Sequence, residues 1–177
     1  MGTENWLSDS NHSELTFKIR HLMISNVTGK FRDVTATAVT LNNDFSKGYF
    51  TLKAVVSSLT TENEQRDQHL LNADFFDAEN FPEINFVSTY IEENGKDSFL
   101  INGDLSMKGI TKPVSLQVEF GGLITDDRHG TKAGFTITGT IHRSDWGISF
   151  NRILETGGVG LGEDVKIFSE IQLVKQK

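Results

Sequence analysis

Five histidines, His12, His21, His69, His129 and His142, are the side chains of this chain best suited to move a proton or ligate a metal near neutral pH. Zinc takes several N, O or S ligands, commonly at close spacing. No His-x-x-x-His or His-Glu-x-x-His occurs, and there is no cysteine. The missing thiols exclude disulfides, thiolate zinc sites, iron–sulfur clusters and a cysteine nucleophile. A site built from His12, His21 and His69 would need distant segments to converge. These histidines are therefore expected to be hydrogen-bonding groups, with no metal and no cofactor.

Arg66-Asp67-Gln68-His69 puts an acid and a base in one short run. On a helix, residues two apart point in different directions. The better expectation is that Arg66 and Asp67 clamp their helix to the neighbouring strands. Arg143-Ser144-Asp145-Trp146-Gly147 holds a serine, but without the Gly-x-Ser-x-Gly elbow of a hydrolase nucleophile. There an Arg143–Asp145 pair holding a turn is expected. Gly157-Gly158-Val159-Gly160-Leu161-Gly162 has the composition of a phosphate cradle. It lacks the Lys-Ser/Thr of a P-loop and precedes a strand where that motif needs a helix, so it is expected to be a loop leading into the last strand.

The elements that position these groups follow from period-two alternation. Leu15, Phe17 and Ile19 share one side of Glu14–Arg20. The same pattern recurs in Phe99-Ile101-Gly103-Leu105-Met107, Val114-Leu116-Val118-Phe120 and Phe135-Ile137-Gly139-Ile141. It is looser in Ile84-Phe86-Tyr90 and Val165-Ile167-Ile171-Leu173, while Thr35–Leu41 and Gly48–Ser57 are strands of mixed face. About eight strands with one wet and one dry face are antiparallel in character. Turns are expected at Asn42-Asn43-Asp44, Asn94-Gly95, Gly121-Gly122 and Asp126–Gly130. One stretch departs from the pattern. Thr61-Glu62-Asn63-Glu64 fits a capping box with Thr61 as N-cap, predicting a helix over 62–71 that ends before Phe81-Pro82.

Composition narrows the function. The 177 residues make one domain, and 17 Lys+Arg against 24 Asp+Glu give a net charge of −7, contrary to the basic surface of a nucleic-acid binder. No apolar run reaches the roughly 20 residues that span a bilayer. The first ten residues lack the basic and apolar regions of a signal peptide, which predicts a cytoplasmic protein, or a periplasmic one if a leader has been removed. Phe is unusually abundant, 13 against two Trp and two Tyr. Phe is a large apolar group with no polar handle. A barrel of about eight strands closes either on a packed core or around one small ligand. Glycines at the inward positions Gly103 and Gly139, and Phe75-Phe76 beside the helix, favour a cavity.

The motifs extend over most of the chain. Trp6, Asn11-His12-Ser13, Phe17 and His21 are followed by Val27, Gly29 and Phe31. Thr61, Arg66-Asp67-Gln68-His69-Leu70, Asp74-Phe75-Phe76-Asp77 and Phe81-Pro82-Glu83-Ile84-Asn85-Phe86 form the most specific stretch. Gly103 through Val114, Arg143-Ser144-Asp145-Trp146-Gly147-Ile148 and a last strand from Val165 complete the set. This pattern resembles the YceI-like family of polyisoprenoid-binding proteins, from Trp6 to about Leu173. Trp146 stands where the family usually has Phe, and the first ten residues do not read as the export leader that many relatives carry. The resemblance implies an all-β fold: an extended, lipocalin-like antiparallel barrel with one helix at its side or mouth. It also implies an elongated apolar lumen for an isoprenoid or similar chain, and a homodimer. It brings no catalytic residue. It implies that Arg66, Asp67, His69, Phe75 and Phe76 stand near the lumen.

The expected ligand-binding set is therefore Phe17, Ile19, Phe75, Phe76, Phe86, Phe99, Ile101, Gly103, Leu105, Phe120, Phe135, Ile137, Gly139 and Trp146. His12, His21, Arg66, Asp67, His69, Arg143 and Asp145 are expected to be architectural, or polar groups at the mouth. The function expected is a lipid-binding carrier or store for a polyisoprenoid, an isoprenoid quinone or its precursor. Each buried methylene contributes about 0.8 kcal/mol. A ten-residue strand tilted by about 40° gives a barrel axis of about 25 Å, so a very long prenyl chain must bend or protrude. The alternatives are an enzyme acting on a lipid-like substrate, with Asp67, His69 or His12 as acid or base, and a stress-related protein whose core is filled by side chains.

Overall fold

Apolar–polar alternation is realised as eleven strands in the computed structural model, which describes residues 2–152 and 160–177. In chain order they are β1 (Thr3–Ser8), β2 (Glu14–His21), β3 (Ser25–Phe31), β4 (Val34–Leu41), β5 (Asp44–Val55), β6 (Leu59–Thr60), β7 (Glu83–Gly95), β8 (Ser98–Met107), β9 (Ile110–Asp126), β10 (Gly130–His142) and β11 (Leu161–Lys175). The ring β1-β4-β5-β7-β8-β9-β10-β11 closes where β11 returns to β1, with every pairing antiparallel. The eight-stranded barrel expected from the sequence is thus present.

The extra strands come from bending. β1 and β2 lie end to end along β11 across a 3-10 turn at Ser10–His12: Ser8 pairs with Leu173, Glu14 with Glu170 and His21 with Leu161. β3 and β4 form a second bent strand, interrupted at Arg32-Asp33, with β3 on β2 and β4 on β1. β6 then covers part of the outer edge of β3, pairing Phe31 with Leu59.

The helix α1 runs Glu64–Leu71. Its N-cap is Asn63, whose side chain accepts from the Arg66 amide at 3.0 Å. Thr61 is not the cap. Glu62 has a positive φ of 61°, which turns the chain between Thr61 and the helix and frees the Thr61 hydroxyl for other partners. Among the described residues no helix is long and apolar enough to cross a membrane.

Two turn expectations also change. Asn42 and Asn43 both take positive φ in the β4–β5 turn, as residues that tolerate that region should. The β7–β8 hairpin, however, turns at Lys96-Asp97, since Gly95 already pairs with Ser98. Asn94 instead uses its amide to donate to Gln117 Oε1 at 2.7 Å. Gly121-Gly122 is not a turn: it lies inside β9, opposite Gly134, where the β9–β10 register shifts.

One end of the barrel is filled by aromatic rings. Phe45 lies 4.9 Å from Trp6, 5.0 Å from Phe135 and 5.5 Å from Phe120 between ring centroids, and Phe50 stands 6.4 Å from Phe135. The Trp6 indole donates to Thr40 Oγ1 at 2.9 Å, and the buried Thr40 hydroxyl donates to Glu4 Oε2 at 2.8 Å, so the polar groups beside this apolar floor are satisfied.

Candidate functional site: an apolar lumen with a polar mouth

Above the aromatic floor the barrel encloses a cavity of about 580 Å³, within the roughly 300–1,000 Å³ typical of small-molecule sites. The inward side chains of alternating strands make its wall. Phe17, Ile19, Phe86, Ile101, Leu105, Phe135 and Ile137 line it as expected from their strand faces, and Phe75 and Phe76 line it from the segment after α1.

Other members of the expected set lie off the wall. Phe99 is buried in the core, and Phe120 belongs to the floor beneath the cavity. Trp146 is 1% exposed, and its indole donates to the Leu105 carbonyl at 2.9 Å, a structural bond. The inward glycines do not open space. A Cβ on Gly103 would stand 2.5 Å from Phe86 Cζ and press on the Val87 carbonyl. A Cβ on Gly139 would meet Leu116 Cδ2 at 2.6 Å. In both places a neighbouring side chain has already taken the room that the glycine left.

The expected set leaves out wall residues Leu15, Ile84, Leu116, Val165 and Ile167, whose faces alternation identifies, and Val27, Phe31, Phe50, Leu52 and Phe150, for which the sequence reading has no placement on the wall. Val27, Gly29 and Phe31 alternate, a signal that β3 faces inward. Phe50 sits in the strand of mixed face, where alternation offers no guide, and Phe45 lies before Gly48, where the sequence reading begins that strand.

The mouth is assembled at the other end from the β2–β3 turn, the insertion carrying α1, the 3-10 turn Arg143–Trp146 and the start of β11. The Leu22 amide donates to the Gly160 carbonyl at 2.8 Å. Asn151 bonds both the Leu161 amide and carbonyl. Lys108 Nζ donates to the Ala73 carbonyl at 3.1 Å. Two aromatic groups frame the opening. Phe31 lies 5.7 Å from Phe17 and 5.8 Å from Phe76. Phe75 lies 5.3 Å from Phe150, with His69 about equidistant from both, at 5.0 and 5.1 Å.

His21, Arg66, His69 and Arg143 line this end of the cavity, together with Arg152. Among the described residues no Asp or Glu lines it. Arg66 is held by Thr61: Nε donates to Thr61 Oγ1 and Nη2 to the Thr61 carbonyl, each at 2.8 Å. Asp67 faces the same residue and accepts from the Thr61 amide at 2.8 Å. Arg66 and Asp67 therefore do clamp the helix, but onto the segment following β6. His69 Nε2 lies 2.9 Å from Asp74 Oδ2, so Asp67 and His69 do not form an acid–base pair.

Arg143 is 3% exposed and does not pair with Asp145. Its Nε donates to the Gly162 carbonyl at 2.9 Å, and Nη1 to the carbonyls of Ile148 at 2.9 Å and Phe150 at 2.8 Å. Burial pulls its pKa below the usual guanidinium value, while the Glu163 carboxylate opposes that shift. Glu163 accepts from the Ser144 amide at 2.9 Å; bonds to Ser144 first, and then Arg143 and His142, hold its carboxyl below the usual range. Arg143 thus ties the chain leading to Phe150 onto β11. His12 lies on the surface at the 3-10 turn, away from the cavity, and Asp145 is also exposed. Among the described residues no three His, Asp or Glu side chains gather as metal ligands. Of the glycine run 157–162, positions 157–159 lie outside the described residues; the Gly160 amide donates to the Arg152 carbonyl at 2.8 Å.

The YceI-like domain family matches residues 6–173. A UPF0312 protein of Staphylococcus aureus (strain MSSA476) is 42% identical over 163 residues, which is 92% of each chain. The solved YceI protein of Campylobacter jejuni has a TM-score of 0.75 at 29% identity, over 90% of this chain and 91% of that one. At lower identity, where the likeness concerns the fold alone, BcnA of Burkholderia cenocepacia scores 0.80 at 19%, over 93% and 98% of the two chains. A polyisoprenoid binding domain from Saccharophagus degradans scores 0.69 at 10%, over 97% and 98%.

Proposed function

This chain belongs to the YceI-like family, and from that premise we propose that it is a lipid-binding protein that holds one long apolar chain, a polyisoprenoid or an isoprenoid quinone or precursor, for transport or storage. The observation that carries the reading is the cavity of about 580 Å³ whose wall is mainly aliphatic and aromatic and whose arginines and histidines stand at one end. Such a site attracts ligand through loss of water from apolar surface, which is non-directional and tolerant of chain identity. The polar mouth orients the molecule, with its apolar tail toward Phe135 and any headgroup beside Arg66 and His69. The polyisoprenoid binding domain of S. degradans shares the fold and agrees with this ligand class.

Mass spectrometry of a solvent extract from the purified protein, followed by re-binding of the identified compound to stripped protein, tests the reading. The expected result is a long-chain lipid that binds one per chain and is displaced when Ile137→Trp fills the lumen. A stripped protein that takes up no prenyl or acyl chain, or an Ile137→Trp variant that binds as well as the parent, would overturn it.

A further inference from the structure

The rim of the cavity carries an apolar projection that the binding of a chain inside the lumen does not explain. The β2–β3 turn runs His21-Leu22-Met23-Ile24-Ser25. His21 and Leu22 line the cavity, but Met23 and Ile24 do not. They stand out from the barrel at 56% and 82% exposure. Elsewhere on the molecule a tight hairpin uses Asn42-Asn43 at its positive-φ positions, residues that suit that conformation. Here Leu22 and Met23 hold φ of 54° and 62°, where bulky side chains are disfavoured. A polar Asn-Gly pair would form this turn at lower energy and greater solubility. The chain instead keeps apolar residues in a strained, water-exposed turn at the entrance to an apolar cavity. Arg20 Nη2 donates to the Met23 carbonyl at 2.9 Å and holds the tip in place.

Building on the lipid-carrier reading, we propose that the Leu22-Met23-Ile24 turn is a membrane-docking tip that inserts into a lipid surface while the lumen loads or unloads. Area and position select this occupant. The tip offers on the order of a few hundred Å² of apolar surface, well short of the roughly 800 Å² that each partner contributes to a stable protein interface. A few apolar side chains do suffice for transient seating in the headgroup–acyl boundary. Because the tip and the cavity entrance belong to one turn, seating it in lipid lets an apolar chain pass between bilayer and lumen without crossing water. A protein covering this turn would obstruct that route. The net charge of −7 opposes adsorption to strongly anionic surfaces, so the seating is apolar and is expected on neutral phosphatidylcholine.

Phosphatidylcholine vesicles carrying a dansyl-tagged farnesyl chain test this, with the parent protein and the double variant Met23→Gly/Ile24→Ser. Co-sedimentation reports docking, the rate of dansyl transfer reports loading, and uptake of the same probe dispersed without vesicles reports the lumen. The parent is expected to co-sediment and to load at a rate that rises with vesicle concentration. The variant is expected to partition about tenfold more weakly or worse and to load correspondingly more slowly. Its uptake of dispersed probe should be unchanged, and its thermal midpoint equal or higher, because glycine relieves the strain at position 23. A parent that ignores the vesicles, or a folded variant that docks and loads like the parent, overturns the proposal. If the parent takes up dispersed probe yet does not dock, only the docking fails. If it docks yet takes up no probe, the lipid-carrier reading fails and the docking surface stands.

Discussion

Phe17 and Gly29 face each other across β2 and β3, and the Phe17 ring occupies the space that a side chain at position 29 would need. The ring is held there by Phe31 at 5.7 Å and Phe76 at 6.5 Å. A glycine on one strand thus seats an aromatic group from its neighbour, and that group forms part of the cavity wall.

Gly29→Ala should therefore push the Phe17 ring into the lumen. The expected outcome is a loss of about 1–3 kcal/mol from overpacking, together with weaker binding of a prenyl probe. Urea unfolding and a fluorescence titration on the same sample check both; unchanged binding would show that the ring moves elsewhere.

Gly103 and Gly139 should respond differently to alanine. At Gly103 the new methyl meets the Val87 carbonyl and the Phe86 ring. Backbone cannot rotate away, so a loss of about 1–3 kcal/mol is expected. At Gly139 the contact is the tip of Leu116, a flexible side chain bordering the cavity, so the loss should be smaller. Equal thermal midpoints for the two variants would contradict this.

Arg143→Ala should be among the most destabilising substitutions, since it leaves the Gly162, Ile148 and Phe150 carbonyls without their shared donor. A loss of about 1–3 kcal/mol is expected from the buried Ile148 carbonyl left unsatisfied, with a smaller addition from the part-buried Gly162 and Phe150 carbonyls. Arg143→Lys should rescue little, because an ammonium cannot reproduce the planar fork. Hydrogen exchange should show the Leu161 and Gly162 amides losing protection first.

Acid should weaken the β9–β10 hairpin. Asp126 is lowered to about 2, chiefly by its bond with the His129 side chain and then by the His129 and Arg128 amides. Its unfolded value is near 3.9. A carboxyl whose folded pKa is depressed stabilises the native state above the unfolded pKa and loses that contribution as pH falls through the folded one. The contribution of Asp126 should therefore be complete above about pH 4 and fade toward pH 2. Carbon-detected titration of Asp126 checks the midpoint, and Asp126→Asn should remove this part of the acid dependence.

The amino-acid sequence by itself determined the strand faces, because alternation depends only on neighbours along one strand. Phe17, Ile19, Ile101, Leu105, Phe135 and Ile137 face inward as their spacing requires. It also determined the family, through motifs that survive without knowledge of contacts, and the existence of α1, through its run of helix-forming residues. Tertiary structure alone decided depth and partnership. Phe120 and Phe135 both point inward, yet Phe135 borders the cavity while Phe120 packs in the floor. Their heights follow from the closure of the ring and the bulge at Gly134/Phe135, which no single strand encodes. Likewise an inward glycine reads as vacant space until a neighbouring strand brings Phe86 or Leu116 over it. Arg143 reads as the partner of nearby Asp145, whereas burial delivers it three carbonyls from Gly162, Ile148 and Phe150. Those choices depend on residues far apart in the chain being packed together, and only the closed barrel supplies that proximity.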